Sequence, residues 1–348
     1  MIELLNSNYL PVKTQNKEFE KMFFKQLEDS NKILIASGYI SEDSVADLLG
    51  LYKSGFQANL DLIVGMHYFE GFSTGQYNSL KDLSCILQCR NLGDVYLASS
   101  VKYHGKVYLF EKNTGEKISI LGSSNLTKIN PFERIYDTDI ITDEIQFINN
   151  VENFLTLLKS RNCEKITSID SSRVKIIQSE NLFDDYLSVR KVDNNRFASV
   201  LKNKTNISFD IALKTEEKSN LNVYFGKGRK NFSNGAIIPR SWYEVEIIVS
   251  KSITSLPNYP KKDAIFTVIT DDGYEFKCKT SGDFSKNFRS TDDLKILGRW
   301  IKGRMENAGA LNIGEMVTDE VLKKYGRNTV TLTQTLENDV WFLDFGVK

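Results

Sequence analysis

The sequence predicts an α/β domain over residues 1–175 followed by a mostly-β domain over residues 180–348. Three observations predict this. A chain of 348 residues exceeds the usual size of a single core. Up to about Ser172, short apolar runs alternate with helical periodicity, the pattern of strands and helices layered on one sheet. Beyond that point, short β-branched and aromatic runs are separated by Gly, Asn, Asp or Pro clusters, the pattern of an antiparallel barrel or sandwich.

Taken in order, Phe19, Phe23 and Leu27 recur at helical spacing within 17–29, and Lys32–Ser37 is a short buried strand ending before Gly38. Ser41 with Glu42 and Asp43 opens a helix that stops at Gly55. Leu60–Gly65 reads as a strand, Asn78 as the cap of a helix to about Arg90, and Val95–Ala98, Tyr103–Phe110 and Ile118–Leu121 as further strands. A long helix follows over about 143–160, giving a mostly parallel or mixed sheet. In the second half the strand candidates are Ile207–Leu213, Leu221–Phe225, Tyr243–Val249, Ala264–Ile269, Tyr274–Cys278, Thr329–Thr333 and Val340–Phe345. One helix, Leu294–Met305, interrupts them.

Composition narrows the function little. The formal net charge is zero, with 19 basic against 22 acidic residues up to Lys175 and 26 against 23 after it, so an anion-binding surface must be local. Of the four cysteines, none forms a CxxC pair or a zinc-type array, so no structural metal is expected. The first residues lack the basic and apolar regions of a signal peptide, and no apolar run approaches the roughly 20 residues of a membrane span. The expectation is a cytoplasmic protein with no membrane contact.

Chemistry concentrates between Tyr103 and Thr127. His104 and Lys106 stand two apart on a predicted strand, so their side chains leave one face. The turn at Asn113-Thr-Gly115 returns the chain and brings Gly122-Ser-Ser-Asn125 towards the same sheet end. An imidazole, an ammonium, the Ser123 hydroxyl and the Asn125 amide then converge. Such a group suits attack on a phosphodiester: the imidazole as nucleophile, Lys106 and Asn125 as fixed donors to the phosphoryl oxygens. Lysines replace the cation that other nucleases use, so metal is not required in principle. The other histidine, His67, has no lysine two residues on and reads as a loop or edge residue.

His104-Gly-Lys106 and Gly122-Ser-Ser-Asn125 together resemble the HxK and GSxN signature of the phospholipase D superfamily. The resemblance implies a metal-independent phosphodiesterase. It also implies an acidic residue after the GSxN segment that orients the histidine, for which Glu133 is the first choice and Asp139 the alternative. The family carries Asp in the slot held here by Glu111. Sites of this superfamily take two such motifs across a twofold axis, and this chain has one. A homodimer with the site at its interface is therefore implied, one His104 attacking phosphorus while its mate protonates the leaving oxygen.

Two basic runs in the second half turn the reading towards double-stranded DNA. Residues 226–240 hold Lys227, Arg229, Lys230 and Arg240, with Asn234 among them and no acidic residue. Residues 277–304 hold eight basic residues against three acidic, including Lys286-Asn287-Phe-Arg289, an Arg/Asn pair suited to guanine and adenine edges. Leu297-Gly-Arg-Trp300-Ile-Lys and Ala310-Leu-Asn-Ile-Gly-Glu315 resemble the B3-type DNA-binding pseudobarrel. The whole chain is similar to the NgoFVII type of restriction endonuclease, a phospholipase D-like nuclease domain followed by a B3-like domain. That layout implies sequence-specific cleavage, a companion DNA methyltransferase and, as in some relatives, a separately encoded ATPase or helicase subunit that alone would bring ATP. The alternatives are a nonspecific nuclease or lipid phosphodiesterase of the same superfamily, and a DNA-binding regulator with a vestigial catalytic domain.

Overall fold

The computed structural model describes residues 1–8, 12–127, 135–177, 183, 186, 188–230, 237–238 and 240–347, with backbone alone at 229, 230, 237 and 238. Two compact units divide it, Met1–Glu180 and Asn181–Lys348. In the first unit β1 (Ile2–Asn6), α1 (Phe19–Glu28), β2 (Ser30–Ser37), α2 (Glu42–Lys53) and β3 (Asn59–Val64) are followed by the single turn α3 (His67–Glu70) and by β4 (Phe72–Ser73). Then come α4 (Thr74–Cys89), β5 (Gly93–Ala98), β6 (Lys106–Lys112), β7 (Lys117–Gly122), β8 (Thr138–Thr142), α5 (Ile145–Asn162), β9 (Cys163–Lys165) and β10 (Ile176–Ile177).

Eight of these strands form one mixed sheet in the order β1-β8-β7-β6-β2-β3-β5-β9. The parallel core is β2-β3-β5, and β6, β7, β8 and β1 add to it antiparallel. Alternation along β6 serves both faces, because side chains on a strand leave it on alternate sides. Tyr108 and Phe110 meet Phe19 and Phe23 of α1 edge-on, with centroids 4.9–5.7 Å apart. Leu109 joins Ile148, Leu155 and Leu158 of α5 on the opposite face. Edge-on aromatic pairs add about 0.5–1.5 kcal/mol each beyond their burial, so β6, which carries Lys106, is clamped from both sides.

Local chemistry explains where the elements depart from expectation. The helix expected to start at Asn78 starts at Thr74, because Ser73 and Gln76 form a reciprocal capping box (Gln76 N–H to Ser73 Oγ 3.1 Å, Ser73 N–H to Gln76 Oε1 2.9 Å). The strand expected from Tyr103 begins only at Lys106, so His104 lies on the approach to β6 rather than within it. Gly105 still keeps one ladder bond, accepting from Gly38 N–H at 2.9 Å.

The second unit runs β11 (Arg190–Lys191), α6 (Asn194–Lys202), β12 (Lys204–Ala212), β13 (Arg229–Lys230), β14 (Ile237–Ile238), β15 (Ile247–Ile248), α7 (Lys251–Thr254), β16 (Ile265–Thr270) and β17 (Tyr274–Ser281). It closes with β18 (Asn287–Ser290), α8 (Leu294–Asn307), α9 (Asp319–Tyr325), β19 (Thr329–Thr335) and β20 (Val340–Asp344). The sheet order is β12-β19-β20-β16-β17-β18-β15, with β11 added to β17, and it curls into a half-barrel. On β17, Tyr274, Phe276, Cys278 and Thr280 point inwards and Glu275, Lys277, Lys279 and Ser281 outwards.

Leu221–Phe225, expected as a strand, is a 3-10 segment. Asn222 takes over the bonding a ladder would supply: its Nδ2 donates to Val317 O at 2.9 Å and its Oδ1 accepts from Val317 N–H at 2.9 Å. Of Tyr243–Val249 only Ile247–Ile248 is paired as a strand. Helix α8 lies against Tyr243 so closely that a Cβ at Gly298 would fall 1.8 Å from Tyr243 O.

Candidate functional site

The site grows from three chain segments meeting at one end of the first sheet. His104 is exposed, while Lys106, two residues on, is only 8% exposed. Lys106 Nζ donates to His104 O at 2.7 Å and lies 3.1 Å from Nε2 and 3.3 Å from Nδ1 of the same residue. Burial holds the Lys106 ammonium below the ordinary lysine value, an effect the charge of Asp137 only partly opposes. A cation with few water contacts beside the imidazole is the kind of fixed donor that a developing phosphoryl charge requires.

The GSSN turn is pinned from beneath. Ser124 N–H and Ser124 Oγ donate to the two oxygens of the buried Asp139 carboxylate at 2.9 and 2.6 Å, and Tyr108 OH donates to Ser124 O at 2.8 Å. Leu126 N–H donates to Ser37 Oγ at 2.9 Å, which ties the turn to the end of β2. Asn125 Oδ1 accepts from Tyr39 N–H at 3.1 Å, and the Tyr39 ring stands edge-on to the His104 ring at 5.6 Å. Asn125 and His104 thus flank one residue. Ser123 Oγ donates to Asp137 Oδ1 at 2.7 Å.

Glycines let these segments approach. A Cβ at Gly65 would fall 1.9 Å from Tyr103 O, and one at Gly38 would fall 3.1 Å from His104 Cα. Gly65→Ala is therefore expected to destabilise the first unit by about 1–3 kcal/mol through overpacking, read from urea denaturation. A change within about 0.5 kcal/mol, the range of a neutral surface substitution, would mean that the neighbouring chain yields freely.

The acidic residues sort differently from the sequence reading. Glu133 lies outside the described residues. Asp139 holds Ser124, as above. Asp137, which the sequence reading did not single out, faces both Ser123 and the field of Lys106. Its only sequence signal was its place just before β8. Glu111 sits at the far end of β6, in a surface cluster with Lys32 (3.7 Å), Lys117 (3.9 Å) and Glu152. His67 is buried: Ile40 N–H donates to its Nε2 at 3.1 Å, and its Nδ1–H donates to Gly71 O at 3.0 Å.

In the second unit the basic runs divide. Lys295, Arg299 and Lys302 are buried on α8. Lys302 Nζ donates to Trp242 O at 2.6 Å, and Arg304 forms an ion pair with Asp271. Half of the eight basic residues in 277–304 therefore serve the core. Lys277, Lys279, Lys286 and Arg289 remain on or beside the outer face of β17 and β18, where Lys279 and Arg289 are direct cross-strand partners. Like charges opposed across a ladder are unfavourable unless an anion lies over them. None of these four forms an ion pair among the described residues. Asn287 Nδ2 donates to Glu246 Oε1 at 3.2 Å.

In the other run Lys227 is exposed, and Arg229 and Lys230 belong to the two-stranded β13–β14 hairpin, where Arg229 pairs with Ile238. Asn234 lies outside the described residues. Arg240 is mostly buried and ion-paired with Glu244 at 2.8 Å. Among the described residues no group of three or more His, Cys, Asp or Glu side chains is placed to hold a metal ion, and no helix is long and apolar enough to cross a membrane.

Comparison with known proteins agrees with this two-part layout. Residues 17–171 match the model of the NgoFVII restriction endonuclease N-terminal PLD domain, and residues 199–336 match that of the NgoFVII C-terminal B3-like DNA-binding domain. Among solved structures, NucT from Helicobacter pylori is 18% identical with a TM-score of 0.33, over 47% of this chain and 99% of its own. Nuc from Salmonella typhimurium, a phospholipase D family member, is 11% identical with a TM-score of 0.33, over 47% and 97%. Yeast tyrosyl-DNA phosphodiesterase is 9% identical with a TM-score of 0.30, over 64% and 56%. No curated protein matches the chain.

Proposed function

We propose that this chain, which belongs to the NgoFVII restriction endonuclease family through both of its domains, is a sequence-specific DNA endonuclease that hydrolyses phosphodiesters without metal. The observation that carries the reading is the approach of Lys106 Nζ to 3.1 Å from His104 Nε2, with Asn125 held one residue away by the Tyr39 backbone. His104 attacks phosphorus and the DNA oxygen leaves, giving a phosphohistidine that water then hydrolyses. Lys106 and Asn125 donate to the phosphoryl oxygens as charge builds on them. Ser123, tied to Asp137, lines the same turn.

One chain supplies one imidazole at this place, and the leaving oxygen needs a proton. A homodimer with its site on the twofold axis supplies both, the second His104 acting as general acid. In that arrangement Asp137, whose charge acts on Lys106 and which accepts from Ser123 Oγ, joins Glu133 and Asp139 as a candidate for the orienting acid. The second domain reads the site on double-stranded DNA. The candidate contacts are Lys227, Arg229 and Lys230 in the first basic run, and Lys277, Lys279, Lys286, Asn287 and Arg289 along β17 and β18. A companion methyltransferase then protects host DNA, and an ATPase or helicase subunit is the route by which ATP would enter.

Digestion of a bacteriophage genome of known sequence tests the specificity. Discrete fragments are expected; a smear would leave a nonspecific nuclease. Arg289→Ala is expected to weaken binding by about 1–3 kcal/mol on the cognate site alone if Arg289 reads a base edge. An equal loss on every sequence would make it a phosphate contact. Gel-shift titration on cognate and scrambled duplexes separates the two outcomes.

A further inference from the structure

His67 and Tyr39 take no part in the chemistry above, yet the bonding around the site runs through both. Of the hydrogen bonds made by the backbone of residues 38–40, four link it to the site and to His67. Gly38 N–H donates to Gly105 O at 2.9 Å, and Gly38 O accepts from Met66 N–H at 2.8 Å. Tyr39 N–H donates to Asn125 Oδ1 at 3.1 Å, and Ile40 N–H donates to His67 Nε2 at 3.1 Å. This short segment therefore touches the approach to His104, the GSSN turn and the second histidine at once.

The bond from Ile40 N–H requires a lone pair on Nε2, which fixes the His67 tautomer with its proton on Nδ1, donated to Gly71 O at 3.0 Å. Phe72 stacks on the same imidazole at 5.2 Å and 23°. His67 is thus a strut with every polar atom engaged. Tyr39 stands edge-on to both imidazoles, 5.4 Å from His67 at 86° and 5.6 Å from His104 at 82°. Its backbone is held by Asn125, and its phenol donates to Glu70 Oε2 at 2.9 Å, so the ring is fixed at both ends.

His104 itself is exposed, and an exposed imidazole is free to change rotamer unless a neighbour limits it. We infer that Tyr39 is a positioning residue for His104, the wall against which the nucleophile is aimed, and that His67 acts through residues 38–40 to hold that wall in place. The inference rests on the reading of His104 as the nucleophile.

The test uses the full chain and bis(4-nitrophenyl) phosphate, a diester that needs no recognition sequence. Tyr39→Ala is expected to lower kcat by about 100-fold, the cost of a reacting group displaced by about 1 Å, with KM little changed. Tyr39→Phe, which keeps the ring edge and loses only the Glu70 bond, restores most of the turnover. His67→Ala lowers kcat in the same way, and His67→Gln, whose amide offers both an acceptor and a donor, recovers part of it. Turnover is expressed per folded chain from a thermal melt of each variant. Loss of activity that merely follows loss of folded protein would overturn the inference. Parental kcat in Tyr39→Ala, with His104→Ala inactive, would overturn it alone. Parental turnover in His104→Ala would remove the nucleophile reading, and this inference with it.

Discussion

His104→Ala is expected to reduce DNA cleavage by about 10⁴-fold or more, the scale of losing a covalent nucleophile, while DNA affinity stays at the parental level. The two effects separate because the proposed roles fall in separate units, Met1–Glu180 and Asn181–Lys348. Alanine removes the nitrogen proposed to attack, and the neighbouring groups would not substitute for it. Lys106 is a cation whose ammonium already donates to His104 O, and Asn125 Oδ1 is bound to Tyr39 N–H. Single-turnover cleavage and gel-shift titration on one preparation give both numbers. Loss of binding together with cleavage would place DNA contacts around His104. Cleavage at the parental rate would remove His104 from the chemistry.

A heterodimer with one intact chain and one His104→Ala chain is expected to lose about 10²–10⁴-fold in cleavage, the contribution of a general acid. The reasoning is one of supply. The proposed shared site would need one imidazole to attack and a second to protonate the leaving oxygen, each chain bringing one. Two differently tagged chains, co-expressed and purified through both tags, give the heterodimer directly. If each chain held an independent complete site, the heterodimer would keep about half of the parental rate, as two unlinked sites on a twofold dimer require. A stable, active monomer by light scattering would end the shared-site account.

What could be read in advance was whatever the chemistry places close together in sequence. His104 and Lys106 are two residues apart, and one hairpin joins them to Asn125, so spacing alone brought them to one sheet end. Asp137, Tyr39 and His67 come from separate connections between strands and reach this end of the sheet only when β2, β3, β6, β7 and β8 assemble. No local spacing marks them. The charge of residues 277–304 misled for a related reason: a run is counted along the chain, but burial depends on the helix face. On α8, Lys302 is fully buried against Trp242 and Arg304 pairs with Asp271, whereas Lys279 and Arg289 alternate outwards on strands. Ser73, three residues before Gln76, carries the capping-box pattern in the sequence, but Asn78 is an equally good cap by residue type, and only the reciprocal bonds decide between them. The 3-10 segment at Asn220–Phe225 had strand-like apolar residues, and it was the tertiary bonds of Asn222 to Val317 that decided its form.

Under the proposed mechanism, protein cations and an imidazole carry out the hydrolysis with no metal ion. Plasmid cleavage in excess EDTA, parent beside His104→Ala, tests it most directly. Discrete fragments are expected from the parent at the rate seen without chelator, and none from the variant. Cleavage that stops in EDTA and returns with added magnesium would contradict it.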